Sequence, residues 1–153
     1  MLRATAYLPA GHGKTPFDQV VLEHDERRLR RKLLRLRHGD EVLVDFLQTI
    51  TLDHRSVLQL DDGRFVEVIA ADEQLYEVRG RDTAHLVRLA WHIGNRHTSA
   101  QLDADRILIK RDHVLRTMLE GLGATIAAVS EPFYAEHGAY HAHAEPGHAL
   151  LNR

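Results

Sequence analysis

The chain has 153 residues, of which 44% are hydrophobic and 27% charged, and its formal net charge is −2 with histidines neutral. That balance fits a soluble globular protein of one domain or two small ones, and it offers no bulk attraction to nucleic acid or to an anionic membrane. There is no cysteine, which excludes disulfides and thiolate metal ligands. No apolar run approaches a membrane span, the N-terminus lacks the apolar core of a secretory signal, and a cytoplasmic location is expected.

The first half reads as strands. TAYLP (Thr5–Pro9) and QVVLE (Gln19–Glu23) are strand candidates, separated by GHGKT (Gly11–Thr15). That segment hints at a phosphate loop, but Leu8 stands where the first glycine is needed and Pro16 prevents a helix from starting directly after Thr15, so a surface turn is the better reading. Arg27–Arg37, RRLRRKLLRLR, is strongly basic but has acidic neighbours and no aromatic residues for stacking bases. It reads as a strand or turn with arginines facing solvent, or as a protein-docking patch. Leu33–Phe46 and Ser56–Ala70 alternate around His38-Gly39-Asp40 and Asp61-Asp62-Gly63, the pattern of two β-hairpins. Residues 1–73 are therefore expected to form a small all-β domain.

The pattern then changes. LYEVRG (Leu75–Gly80) is a short strand, and Asp82 or Thr83 can cap a helix whose Leu86, Leu89, Ala90 and Ile93 share one face. Gly94 is expected to stop that helix, with Asn95 able to take a left-handed turn. SAQL (Ser99–Leu102) and ILIK (Ile107–Lys110) flank the turn Asp103-Ala104-Asp105. Asp112 caps a second helix with the apolar face Leu115, Met118, Leu119 and Leu122, ended by Gly121 and Gly123. ATIAAVS (Ala124–Ser130) is the last strand. The order β-α-β-β-α-β is that of a ferredoxin-like split βαβ unit, expected over 74–138. The fold class is therefore α+β: an all-β domain, a ferredoxin-like domain, and a flexible histidine-bearing tail, AYHAHAEPGHALLNR, over 139–153.

Histidine is the unusual component: there are twelve, eight of them after residue 80. With no thiolate available, a transition metal would be held by imidazole, carboxylate and water, a set that suits Ni(II), Cu(II) or Zn(II). His85 and His92 are two helical turns apart, about 10.5 Å, too far to share one ion. They read as structural or solvent-facing, His92 being the better ligand candidate beside the Gly94 turn. His113, at the start of the second helix, is as well explained as a surface residue as by metal binding. His141 and His143, with His137 and His148 nearby, form a cluster able to share an ion. His97 alone cannot make a tight site, but a two-fold axis would present it twice to one ion. A metal-dependent hydrolase would need three ligands and a general base in one chain, and the sequence has no compact cluster of that kind. An RNA-binding ferredoxin-like sheet would carry exposed aromatics, which ILIK and ATIAAVS lack.

Gly94-Asn95-Arg96-His97 followed by Gln101 resembles the signature of the UreE family, urease accessory proteins that act as nickel metallochaperones. Asp105–Ile109 leading into Asp112-His113-Val114-Leu115, then Met118-Leu119, is similar to the same family, as is Pro132-Phe133 followed by Gly138-Ala139-Tyr140 and a histidine-bearing tail. The resemblance implies a peptide-binding or chaperone-like first domain and no catalysis. It implies a homodimer through the second domain, with Gly94–His97 as the interface loop and two copies of His97 on one Ni(II). His113, His137, His141, His143 and His148 are the further candidate ligands, and Cu(II) or Zn(II) could bind as well. The implied partners are the urease accessory GTPase and, through it, the apo-urease complex. The alternative within the same chemistry is a general nickel, copper or zinc buffer. One departure is visible: some members carry His-x-His at the start of the second helix, where this chain has Arg111 and His113. Charge reversal at Arg30 and Arg31 is expected to weaken the GTPase complex if the basic stretch docks it.

Overall fold

The computed structural model describes residues 1–137, which form two compact units, Met1–Ala71 and Asp72–His137. The histidine-bearing tail expected over 139–153 lies outside the described residues.

The first unit is a six-stranded sheet. Its strands are β1 (Leu2–Leu8), β2 (Asp18–Leu22), β3 (Arg28–Arg35), β4 (Glu41–Thr51), β5 (Val57–Leu60) and β6 (Phe65–Ala70), with one 3-10 turn at Asp25–Arg27. Both expected hairpins form: β3 pairs antiparallel with β4, and β5 with β6. The sheet order is β2-β6-β5-β1-β4-β3. β1 inserts between the hairpins, parallel to β4 and antiparallel to β5, and β2 runs parallel to β6. Alternation in sequence specifies each hairpin, but a parallel neighbour is chosen only when the apolar faces come together. Those faces are Val42, Val44 and Phe46 of β4, Val66 and Val68 of β6, and Val20 and Leu22 of β2, all buried in one core.

Two details of this unit refine the sequence reading. GHGKT is a surface turn: the His12 ring accepts the Lys14 N–H at 2.8 Å on Nδ1, and its Nε2 donates to the Arg55 carbonyl at 3.1 Å. No helix follows it. Arg27 departs from the expectation of solvent-facing arginines, since it is buried and its guanidinium donates to the Leu22 carbonyl at 3.3 Å.

The second unit is ferredoxin-like. β7 (Asp72–Arg79), α1 (Thr83–Asn95), β8 (Ala100–Leu102), β9 (Ile107–Lys110), α2 (His113–Gly121) and β10 (Thr125–Pro132) form a sheet of order β10-β7-β9-β8, with every neighbouring pair antiparallel. β7 is longer than the expected Leu75–Gly80 because β10 pairs with it back to Asp72. Both helix starts are capped as their sequences imply. Asp82 accepts the His85 N–H at 2.8 Å and Asp112 the Leu115 N–H at 2.9 Å, each cap contributing about 1 kcal/mol. Leu86, Leu89, Ile93, Leu115 and Leu119 pack on Val78, Ile107 and Ile109 over one face of the sheet. Burying each such side chain contributes roughly 1.5–3 kcal/mol. Among the described residues no helix is long and apolar enough to cross a membrane.

Candidate metal site at the end of the first helix

Gly94-Asn95-Arg96-His97 is not a free loop. Gly94 and Asn95 are the last residues of α1 and Arg96 is its C-cap, which corrects the expectation that Gly94 stops the helix. The N–H of Arg96 bonds to the Ile93 carbonyl and that of His97 to the Gly94 carbonyl, both at 3.0 Å. The left-handed residue is His97, at φ +54°, not Asn95. Glycine has a high intrinsic cost inside a helix, but the tertiary contacts of Leu89 and Ile93 on the preceding turns carry the helix through it. His97 therefore holds the first position past the helix, where glycine is the usual occupant, and it is exposed.

The other histidines divide by what their ring nitrogens already hold. His85 is buried. Its Nδ1 accepts the Arg81 N–H at 2.9 Å, so Nε2 carries the proton and donates to the Leu122 carbonyl at 2.8 Å. Both nitrogens are spent on backbone, and this ring ties the start of α1 to the end of α2. His92 is half-buried and meets Trp91 edge-on, with ring centroids 5.1 Å apart. His113 is the first residue of α2 and exposed; its carbonyl accepts the Thr117 hydroxyl at 3.1 Å. His137 is exposed at the end of the described chain, and His141, His143 and His148 lie beyond it. Among the described residues no three histidine or carboxylate side chains converge to hold an ion within one chain.

Two features were not picked out from the sequence. The first is a strap. After β10 the chain crosses the sheet face opposite the helices: Phe133 and Ala135 are buried there with Leu75 and Leu108. Gln101 accepts the Tyr134 N–H at 2.8 Å, and the Glu136 N–H bonds to the Ala100 carbonyl at 2.8 Å. The strap thus delivers His137 beside β8, which begins three residues after His97. Gln101 also donates to Asp103 at 3.2 Å, joining the strap to an ion network on this face. There Arg106 binds Glu131 at 2.7 Å, Asp103 at 2.9 Å and Glu77 at 3.0 Å. Hydrogen bonds from Arg79 and then Arg106 hold the Glu77 carboxyl below the usual glutamate range, against the desolvation that would raise it. The sequence signal for the strap was the apolar pair at 133 and 135 continuing the alternation of β10.

The second feature is an apolar stripe on the outer side of α1. Val87 is 63% and Trp91 64% exposed, one turn apart. Their i, i+4 spacing marks a second apolar face on the helix, separate from the core stripe of Leu86, Leu89 and Ile93.

Similarity to known proteins respects the division into units. A family model described as the UreE urease accessory protein N-terminal domain matches residues 3–71, and the corresponding C-terminal domain model matches 73–151. Proteins named urease accessory protein UreE are similar over nearly the whole chain. That of Rhizobium leguminosarum bv. trifolii is 52% identical over 149 residues, covering 97% of this chain and 77% of the relative. That of Agrobacterium fabrum is 51% identical over 149 residues, covering 97% and 92%. That of Brucella anthropi is 54% identical over 142 residues, covering 92% and 84%.

Proposed function

The chain belongs to the UreE family of urease accessory proteins, so its role lies in urease maturation and it is not an enzyme; from that premise we propose that it carries Ni(II) as cargo on His97, paired with the same residue of a second copy. The observation that carries this is His97 itself: an exposed imidazole held in a left-handed conformation at the end of α1. A residue kept where glycine would be less strained points to a use for its side chain.

Three further observations support the reading. A lone imidazole needs partners, and an isologous interface supplies one without any new residue. Val87 and Trp91 lie exposed on the helix that ends at His97, so a second copy covering that stripe would bury apolar surface and bring two helix ends together. The strap sets His137 beside β8, and the tail after it in sequence carries His141, His143 and His148 as additional donors. Imidazole with water or carboxylate exchanges nickel more readily than a thiolate cage, as a carrier requires. The same donor set takes Cu(II) at least as tightly, so nickel selectivity rests on metal supply and on the receiver. For that receiver we propose the urease accessory GTPase and, through it, apo-urease.

The test is a calorimetric Ni(II) titration with the mass measured by light scattering. The proposal expects a dimer with one tight ion per two chains. His97→Ala should stay dimeric and lose on the order of 100-fold in affinity for that ion. A monomer, or a mutant that binds the first ion as tightly as the parent, would remove the shared site. In that case a general metal-buffering role through the tail is the better account.

A further inference from the structure

β3 lies at the edge of the first unit's sheet, and alternate residues of an edge strand turn their N–H and C=O groups outward. Just past β3 that side is occupied, the Arg37 N–H bonding to the Gln19 carbonyl of β2 at 2.8 Å, so the open edge ends at Arg35. Its ladder with β4 sets Arg31 opposite Asp45, Leu33 opposite Leu43 and Arg35 opposite Glu41. Residues at i, i+2 and i+4 share one face of a strand, so this face carries three parallel rows: charged, apolar, charged. The Arg31 guanidinium is 3.6 Å from Asp45, whose carboxylate is also held by Arg3 at 2.8 Å. The Arg31 side chain is nevertheless 60% exposed, and Leu33 is 47% exposed. Arg35 is exposed and has no ion pair among the described residues.

We propose that the β3 edge binds an extended acidic segment of another protein, adding it as a strand whose carboxylate–x–apolar–x–carboxylate pattern faces Arg31, Leu33 and Arg35. The inner neighbour already shows the pattern that fits: β4 reads Glu41-x-Leu43-x-Asp45 against the same three residues. A ligand strand would repeat that row on the outer side, with main-chain hydrogen bonds giving affinity and the side-chain rows giving register. Basic residues on an edge also deter self-association. Deterrence alone needs only charge, whereas here an exposed leucine stands between two arginines at strand spacing. Nucleic acid fits less well, because β3 has no aromatic for stacking. The sequence of the chain's own tail carries a single carboxylate, Glu145, before the C-terminus, and cannot supply the pattern.

The test uses the full chain and a fluorescent capped peptide, Thr-Glu-Thr-Leu-Thr-Asp-Thr, read by anisotropy. The proposal expects salt-sensitive binding, about tenfold weaker for the double variant Arg31→Glu, Arg35→Glu. That variant should prefer a matching peptide with lysines in place of the acids, and this rescue also shows that it is folded. N-methylation of alternate peptide amides should abolish binding in one phase of the alternation only. No binding, equal binding of a scrambled peptide, or equal competition by a single-stranded oligonucleotide would each overturn the proposal.

Discussion

Each helix of the second unit is followed by a left-handed residue, a glycine after one and a histidine after the other. After α2, Leu122 is the C-cap and Gly123 takes φ +91°. Its N–H bonds to the Glu120 carbonyl and that of Ala124 to the Leu119 carbonyl, both at 3.0 Å, which is a Schellman ending. After α1 the corresponding left-handed position is held by His97. Glycine at the end of α2 satisfies the backbone without strain and lies against the buried ring of His85. Histidine at the end of α1 accepts strain and projects an imidazole into solvent. The pair teaches that a left-handed residue past a helix can serve packing, as Gly123 does, or hold an exposed side chain, as at His97, where the proposed function puts a ligand. The side chain placed on it tells which.

The comparison can be broken first at its structural end. His85→Ala removes two hydrogen bonds and orphans the Arg81 N–H and the Leu122 carbonyl. It should cost about 3 kcal/mol in urea unfolding and leave Ni(II) stoichiometry unchanged. A loss of the tight ion with intact folding would mean that the two helix ends are not separate in function. Next, Gly123→Ala forces a Cβ into a left-handed residue and sets it 2.5 Å from the Arg81 guanidinium. Because that group is the movable end of a side chain, the cost is mostly backbone, about 1–2 kcal/mol, again without effect on metal.

At the other end the sign reverses. His97→Gly should raise stability by roughly 0.5 kcal/mol, the relieved strain being partly offset by glycine's greater freedom when unfolded, while the tight ion is lost. Arg55, the other non-glycine residue with positive φ among those described, is the control. Arg55→Gly should keep the ion and change stability by less than about 0.5 kcal/mol, because the relieved strain is offset by loss of the Glu67 ion pair at 3.6 Å. If His97→Gly destabilises, the histidine is a structural cap and the contrast between the helix ends fails.

The smallest effect concerns acid. The folded value of Glu77 is depressed by Arg79 and Arg106 from the ordinary value near 4.5. A depressed carboxylate contributes stability that is fully present above the ordinary value and is lost as pH falls through the folded one. Thermal unfolding should therefore decline below about pH 4.5 more steeply in the parent than in Glu77→Gln. Equal slopes would show that the network behind the strap does not couple to folding.

Much of this was written in local sequence. Two Asp/Gly turns between alternating strands fixed the hairpins, and Asp82 and Asp112 before apolar-periodic runs fixed both helix starts, because caps and turns depend on a few adjacent residues. The order β-α-β-β-α-β led directly to the ferredoxin-like unit, and Gly94–His97 with Gln101 led to the family. What local pattern could not decide was anything set by residues far apart. Gly94 reads as a helix stop, yet packing of Leu89 and Ile93 carries α1 past it and moves the left-handed residue to His97. His85 and His92 look alike in sequence, and only the approach of Leu122, 37 residues away, turns one of them into a buried tie. The parallel places of β1 and β2, and the strap that sets His137 beside β8, were likewise decided by tertiary structure. Each rests on burial of faces that sequence neighbours do not share.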